Sequence, residues 1–182
     1  MVSVPAFVLA GGHSRRMGQD KALTPWRGQA LAAHVAGALA AGGCAPVSLV
    51  GRQPGLAALG LPVLAEPEEG GLHPLFGVAA ALDVSIDSPR VLICPCDLPQ
   101  LEAAHVAALL AVGAPCVARA AGRIHPLLAV LDPALAPRAR ALALAGGSAR
   151  DLCASLRPVD LPEAALLDAN RPTDLPPARA LR

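Results

Sequence analysis

The sequence is poor in charge and has no long hydrophobic run. Charged residues make up 16% of the 182 residues and apolar residues 54%, a balance that indicates a globular protein and excludes a disordered one. No apolar run reaches the roughly 18 residues that a membrane span needs. The N-terminus also lacks the basic start and the long apolar region of a signal peptide. We therefore expect a protein with no membrane partner.

The sequence also lacks a CxxC pair, and its five cysteines are scattered. Cys94 and Cys96 form a CxC at the end of an apolar segment, which is a weak metal motif. Small, reduced, buried side chains are the better interpretation, and they indicate a reducing cytoplasm. The formal net charge of +1 argues against a broad nucleic-acid surface.

Lysine is nearly absent, since Lys21 is the only lysine among the 15 lysines and arginines. It closes the glycine-rich stretch "LAGGHSRRMGQDK" of residues 9–21, which directly follows an apolar segment. Lysine is a compact point charge, whereas arginine is a wide planar fork. A phosphate held close to backbone amides leaves more room for the former, so we expect Lys21 to contact phosphate. The alternative is a solvated surface lysine.

Strand-like and helix-like segments alternate along the chain. This alternation predicts a single α/β domain with three layers, a Rossmann-like and mostly parallel sheet with helices on both faces. The last two strands have no helix between them, so we expect an antiparallel element late in the sheet. Strands are expected over residues 4–10, 45–51, 61–66, 90–97, 114–119 and 125–132, and helices over residues 29–43, 75–84, 102–113, 133–147 and 149–156.

The glycine-rich stretch has the chemistry of a polyphosphate site. Gly11 and Gly12 allow close backbone approach, and consecutive amides in such a turn form an anion-binding nest. Arg15, Arg16 and Lys21 add mobile positive charge. The pattern is neither GxxxxGK[ST] nor GxGxxG, which disfavours a P-loop and a dinucleotide-binding fold. An ordinary glycine turn with solvated arginines is the alternative.

Two carboxylates lie at the ends of other predicted strands, and ligands collect at the carboxyl ends of the strands in such sheets. Asp97 follows the apolar segment "VLICPC" and fits the single carboxylate with which a protein often holds Mg²⁺. Its alternative is an N-cap for the helix starting near Glu102. Glu66 ends the third strand and can accept hydrogen bonds from a nucleoside, through either the base or the ribose.

Three residues in the C-terminal half are further candidates for the site. His125 precedes a proline at the start of a strand, where a core or turn histidine is the alternative to a substrate contact. Asp168 and Asn170 lie in a turn before Pro172. They either line the substrate side of the cleft or form an Asx-type turn.

Several motifs together resemble the molybdenum cofactor guanylyltransferase family (MobA), within the wider nucleotidyltransferases. "LAGGHSRRMGQDKAL" closely resembles the family signature LAxGxSxRMGxxK. "HPLFGVAAAL" is similar to its GPLAG-type turn, "CPCDLP" to its CDxP segment, "RIHPLLAV" to its basic-x-His-Pro strand and "DANRPTDL" to its Asn-x-Asn-x-Pro-x-x-Leu ending. The resemblance covers nearly the whole chain and implies one nucleotidyltransferase domain over residues 1–182. Residues 1–100 would then mainly bind nucleotide and residues 101–182 mainly the acceptor.

The resemblance also implies roles for individual residues. Four positions depart from the family pattern: Glu66 replaces an Asp, "VGR" of residues 50–52 replaces a segment with Asn, His73 replaces a Gly and Asp168 replaces an Asn. The implied nucleotide-binding residues are Leu9, Ala10, Gly11, Gly12, Lys21, Glu66 and Asp97. The implied catalytic residues are Lys21, Asp97 and Arg16, with Asp97 as ligand of Mg²⁺ or Mn²⁺. The implied acceptor-binding residues are His125, Asp168 and Asn170.

The implied reaction transfers GMP from GTP to the terminal phosphate of molybdopterin and releases pyrophosphate. Gly12 favours GTP over CTP, since cytidylyltransferase relatives commonly carry LAAG where this chain has "LAGG". The alternatives are a CTP-dependent molybdopterin cytidylyltransferase, another sugar- or alditol-phosphate nucleotidyltransferase, or a nucleotide-binding module without turnover. We expect a cytoplasmic monomer with transient contacts to other molybdenum-cofactor proteins.

Overall fold

The protein is a central β-sheet covered by helices, as seen in a computed structural model that describes residues 3–11, 21–67 and 73–169. Two short strands, Pro25–Trp26 and Gln29–Ala30, form a separate small hairpin. The strands are β1 Val4–Leu9, β2 Pro25–Trp26, β3 Gln29–Ala30, β4 Cys44–Val50, β5 Val63–Leu64, β6 Val91–Pro95, β7 Cys116–Ala120, β8 Arg123–Leu131 and β9 Arg157–Asp160.

The helices are short and lie between the strands. Over the described residues, four 3-10 helices of three to six residues are also present, at Lys21–Leu23, Pro54–Leu59, Pro133–Leu135 and Glu163–Leu166. Within the three described ranges, no helix has the length and apolar character to cross a bilayer. The α-helices are α1 Leu31–Ala41, α2 Pro74–Asp83, α3 Ala103–Ala111, α4 Ala136–Leu144 and α5 Ala149–Leu152.

The main sheet has the strand order β5-β4-β1-β6-β8-β7-β9 over the described residues. β1 pairs in parallel with β4 and β6, and β4 with β5, as the alternation of strands and helices predicts. β8 runs antiparallel to both β6 and β7. Ala121 and Gly122 connect β7 to β8 with φ angles of 45° and 76°, the positive values that a two-residue hairpin turn requires. The expected late antiparallel element is confirmed.

The two faces of the sheet carry separate buried clusters. Ala6 and Val8 of β1 lie in one cluster with apolar side chains of α1 and α3. Phe7 and Leu9 point the other way, into a second cluster with α2 and α4. Every residue of β1 is buried, which is typical of a central strand covered on both sides. The three-layer, mostly parallel prediction is therefore confirmed.

Three local predictions were wrong. Residues 29 and 30 belong to the β2–β3 hairpin, not to the following helix. The third strand covers only Val63–Leu64. The expected helix over residues 149–156 ends at Leu152, and β9 follows and pairs in parallel with β7. The sequence "RPVD" of β9 does not indicate a strand, because an edge strand with mostly exposed residues has no apolar pattern.

The five cysteines are all buried and none forms a disulfide. Burial raises the pKa of the Cys44 thiol to about 11 and raises that of Cys94 well above its ordinary value, so both thiols stay protonated. Among the described residues, no group of three or more His, Cys, Asp or Glu side chains is placed to hold a metal. The CxC segment is therefore part of the core.

Candidate nucleotide-binding site

Four neighbouring strands end in one row across the sheet. Leu9 of β1 is in register with Val50 of β4 and with Pro95 of β6, and Val50 is in register with Leu64 of β5. Backbone hydrogen bonds extend the row by one residue, since the Ala10 N–H donates to the Val50 carbonyl at 2.8 Å. The residues that follow each strand therefore emerge side by side at one edge.

A cavity of about 260 Å³ opens at this edge. Gly11, Glu66 and Asp97 each follow their strand by two residues and line it from three different strands. The sheet register thus brings together residues that are far apart in the sequence. Six of the seven predicted nucleotide-binding residues line this cavity: Leu9, Ala10, Gly11, Lys21, Glu66 and Asp97.

Lys21 and Asp97 form an ion pair inside the cavity, with 2.7 Å between Nζ and Oδ2. Their side chains are only 14% and 21% exposed. A carboxylate buried at a strand end is costly unless it meets a cation or hydrogen-bond donors, and Lys21 is that cation. Asp97 is not the N-cap of α3, because Glu102 occupies that position.

Asp97 keeps one oxygen for a further partner. Its Oδ1 atom is buried and has no hydrogen-bond partner among the described residues. A buried carboxylate oxygen without a donor is rare and calls for a ligand, water or ion. One carboxylate beside a phosphate site suits a divalent cation that completes its shell with waters and phosphate oxygens. The donor set therefore fits a Mg²⁺- or Mn²⁺-type ion.

The Glu66 carboxylate packs directly on Gly11. A Cβ added to Gly11 would overlap it, and a Cβ on Gly77 of α2 would lie 2.9 Å from its Oε1 atom. Glycine at both positions is what gives the carboxylate room. Burial raises the pKa of Glu66, and the charge of Arg52 partly opposes that shift. A half-buried acceptor therefore faces the cavity beside the turn.

Arg52 has a structural role that the sequence analysis missed. It lies in "VGR", where the family pattern has an asparagine, and its Nε–H donates to the backbone carbonyl of Glu66 at 2.8 Å. The loop after β4 is thereby tied to the loop after β5. No residue spacing predicts this bond, since it depends on the pairing of β4 with β5.

His73 is a second residue without a sequence signal for its contacts. It caps α2, where its Nδ1 accepts from the Leu75 N–H at 3.3 Å. Its Nε2–H donates to the Gly147 carbonyl at 2.9 Å, across to the turn between α4 and α5. The next residue, Pro74, lines the cavity. This histidine therefore fixes one wall of the site in place of the family's glycine.

A second cavity of about 430 Å³ contains the predicted acceptor residues that the structure describes. The Ala169 N–H donates to the Asp97 carbonyl at 2.9 Å, which brings Asp168 to the edge of the first cavity. Burial, followed by the charge of Asp97, raises the pKa of Asp168, while His125, Lys21 and Arg123 oppose the shift. The lining residues are Ala120, Ala121, Arg123, Ile124, His125, Pro126, Glu163, Leu166, Leu167 and Asp168.

Three predicted site residues lie outside the described residues. Gly12 and Arg16 belong to the stretch 12–20, and Asn170 belongs to the stretch 170–182. Their roles stay predictions from the sequence.

Comparisons with known proteins agree on one family. The family model described as a MobA-like NTP transferase domain matches residues 6–159. The molybdenum cofactor guanylyltransferase of Rhodobacter capsulatus is 39% identical over 142 residues, which cover 76% of this chain and 74% of that protein.

Solved structures share the fold. The molybdopterin-guanine dinucleotide biosynthesis protein A of Archaeoglobus fulgidus matches with a TM-score of 0.72 and 18% identity, over 94% of this chain and 95% of that one. A Mycobacterium tuberculosis protein solved as a manganese complex matches with a TM-score of 0.68 and 17% identity, over 95% and 96% of the two chains. The family model, the identity to the Rhodobacter enzyme and the fold agree, and the chain belongs to the MobA-like NTP transferase domain family.

Proposed function

We propose that this chain is a molybdenum cofactor guanylyltransferase, which transfers GMP from GTP to the terminal phosphate of molybdopterin. The observation that carries the proposal is the buried pair of Lys21 and Asp97 at the strand ends, with Oδ1 of Asp97 left for a further partner. The name of the Rhodobacter capsulatus relative supports the choice of nucleotide and acceptor.

The first cavity takes the nucleotide. Gly11 offers its backbone to the phosphates, and the Lys21 ammonium supplies a point charge beside them. Glu66 accepts hydrogen bonds from the nucleoside, whose base or ribose donors would satisfy its half-buried carboxylate. Arg16 and Gly12 complete the phosphate loop in this proposal.

Asp97 would hold the divalent cation through its unpartnered Oδ1 atom, and Mg²⁺ is the ion we propose. When bound, the ion neutralises charge on the phosphates during transfer. The bond from the Ala169 N–H to the Asp97 carbonyl holds Asp168 near Asp97, and the charge of Asp97 adds to burial in raising the pKa of Asp168. Lys21 offsets part of this negative charge.

The transfer step needs little proton chemistry. A terminal phosphate oxygen of the acceptor attacks the α-phosphorus of GTP, a new P–O bond forms, and the bond to the bridging oxygen breaks with release of pyrophosphate. The attacking oxygen is already ionised at neutral pH, so no strong general base is required. Catalysis then consists of positioning and of stabilising the charge that develops on pyrophosphate. Lys21 stabilises that charge from its place beside Asp97.

The two halves of the chain divide the work. Nine of the ten residues lining the first cavity precede position 101, and all ten lining the second follow position 119. We assign residues 1–100 mainly to the nucleotide and residues 101–182 mainly to the acceptor, with His125, Asp168 and Asn170 on the acceptor side. The five cysteines are buried and form no disulfide, which supports a reducing cytoplasm, and we propose a monomer.

The experiment measures pyrophosphate release with GTP or CTP, each with and without Mo-molybdopterin. We expect release only with GTP, Mg²⁺ and the acceptor together, with a preference for GTP over CTP of up to roughly 10⁴-fold. Equal use of the two nucleotides would overturn the guanine assignment. Binding of GTP without release in any mixture would favour a binding module.

The source of the base preference is tested with Gly12→Ala. The added methyl group would take up space that the bicyclic guanine base needs, so we expect the variant to lose its preference for GTP. A variant with unchanged preference would remove Gly12 as the cause and leave the guanine assignment intact.

A further inference from the structure

The second cavity combines charged side chains with an apolar wall. Ile124, Pro126 and Leu166 form apolar lining beside Leu167, which is 56% exposed. A large apolar side chain at the mouth of a cavity is a surface that a flat ring can cover. The charged lining residues are Arg123, His125, Glu163 and Asp168.

These charged residues fall into two groups. Arg123 and His125 act on the pKa of Asp168, together with Asp97 and Lys21 of the first cavity. Asp168 lines the second cavity, and the bond from the neighbouring Ala169 N–H to the Asp97 carbonyl ties this segment to the first cavity, so the acceptor phosphate is expected to react near this point. Glu163 begins the 3-10 helix Glu163–Leu166, and among the described residues its carboxylate takes no hydrogen bond or ion pair. This carboxylate lines the cavity and can accept hydrogen bonds, and none of the described residues donates one to it.

The chemistry of the two proposed substrates explains why the second cavity also needs a side chain that accepts hydrogen bonds. Guanine and the pterin of molybdopterin carry the same 2-amino-4-oxopyrimidine edge, with two adjacent N–H donors. A carboxylate is the side chain that accepts both donors at once. Glu66 offers one such group in the first cavity, and Glu163 offers another in the second.

We propose that Glu163 is the specificity-determining residue for the acceptor and pairs with the amino-pyrimidinone edge of its pterin ring. The inference rests on the proposed function, since it assumes a pterin acceptor. The ring covers Leu167 and packs on Ile124 and Leu166, and the phosphate end extends toward Asp168. The second cavity thus uses a carboxylate to recognise this edge on the acceptor.

The test compares Glu163→Gln with the native chain in steady-state pyrophosphate release. Glutamine has nearly the same shape but one acceptor fewer and no charge. We expect the KM for Mo-molybdopterin to rise about tenfold or more, because the pterin donors lose a charged partner. The KM for GTP and the kcat at saturating acceptor should stay within about twofold.

A matched control separates recognition from the loss of surface charge. Asp87 is an exposed carboxylate that lines neither of the two cavities, so Asp87→Asn should leave both KM values unchanged. An active native chain whose Glu163→Gln variant keeps its KM for Mo-molybdopterin would overturn the role of Glu163 alone. A native chain that releases no pyrophosphate from GTP and Mo-molybdopterin would overturn the proposed function, and this inference with it.

Discussion

The two cavities are built in different ways. The first lies where four strands end in register, and its charged pair is held inside by the sheet. The second is formed by the β7–β8 hairpin and the 3-10 helix Glu163–Leu166. Its Glu163 is exposed, whereas the side chains of Lys21 and Asp97 are largely buried.

The difference in exposure of the charged side chains suits the two cavities to different tasks. Charge at the first cavity is fixed in position before any ligand binds, which is what stabilisation of a reacting phosphate requires. Charge at the second cavity is carried by more exposed side chains, which suits recognition of a ring. We therefore expect substitutions in the first cavity to lower turnover, and those in the second to weaken acceptor binding.

Asp97→Asn should have the largest effect. The variant keeps the shape but loses the negative charge that pairs with Lys21 and would hold a cation through Oδ1. We expect kcat to fall by roughly 10²–10³-fold or more. Circular dichroism should show an intact fold. Near-normal turnover with an unchanged Mg²⁺ dependence would contradict the role of the first cavity.

Lys21→Arg should be nearly as damaging, although it conserves the charge. The ammonium lies 2.7 Å from Asp97 in a largely buried position, and a planar fork does not fit where a point charge does. We expect a loss of about 100-fold in kcat/KM for GTP. Arg27→Lys, at an exposed position, is the control. An active Lys21→Arg enzyme would mean that any cation serves here.

Glu66→Gln should affect the nucleotide and spare the acceptor. The half-buried carboxylate loses an acceptor for the nucleoside, so the KM for GTP should rise about tenfold. The KM for Mo-molybdopterin should not change. An opposite result for Glu163→Gln, with a raised KM for Mo-molybdopterin and an unchanged KM for GTP, would support separate tasks for the two cavities. The same change of both KM values in the two variants would contradict it.

The raised pKa of Glu66 also predicts that the stability of the protein depends on pH. Burial raises the pKa of Glu66 in the folded state, so the folded chain binds this proton more tightly than the unfolded chain. The cost of ionising it is absent below the ordinary pKa of glutamate and complete above the raised value. In urea unfolding from pH 4 to pH 8, Glu66→Gln should gain stability relative to the native chain as pH rises. A difference independent of pH would contradict the burial.

His73→Gly should have the smallest effect on catalysis and act mainly on stability. It removes the cap of α2 and the hydrogen bond to Gly147, for a cost of about 1–2 kcal/mol in the free energy of unfolding. His73→Asn keeps a side-chain oxygen that can cap α2, so its free energy of unfolding should lie between those of the native chain and His73→Gly. A GTP KM that rises as much as in Glu66→Gln would mean that this wall contacts the nucleotide.

The sequence predicted most of the fold and the first cavity for a physical reason. Parallel strands place their carboxyl ends together, so chemistry-bearing residues directly after "VPAFVL" and "VLICP" had to meet. Lys21 stood out because it is the only lysine in the chain.

The parts that escaped prediction depend on tertiary contacts. β9 lacks an apolar pattern because it lies at the sheet edge, and the bond from Arg52 to the Glu66 carbonyl exists only because β4 pairs with β5. Glu163 gave no signal, since one glutamate near a chain end resembles any solvated charge. Its place in the second cavity depends on how the segment after β9 packs beside the hairpin.

The most direct test is a crystal structure with a non-hydrolysable GTP analogue and Mn²⁺, whose anomalous signal locates the ion. The account predicts the phosphates beside Lys21, the manganese peak at Oδ1 of Asp97 and the nucleoside against Glu66, with the second cavity open for the acceptor. A nucleotide bound between Glu163 and His125, or a manganese peak away from Asp97, would contradict it.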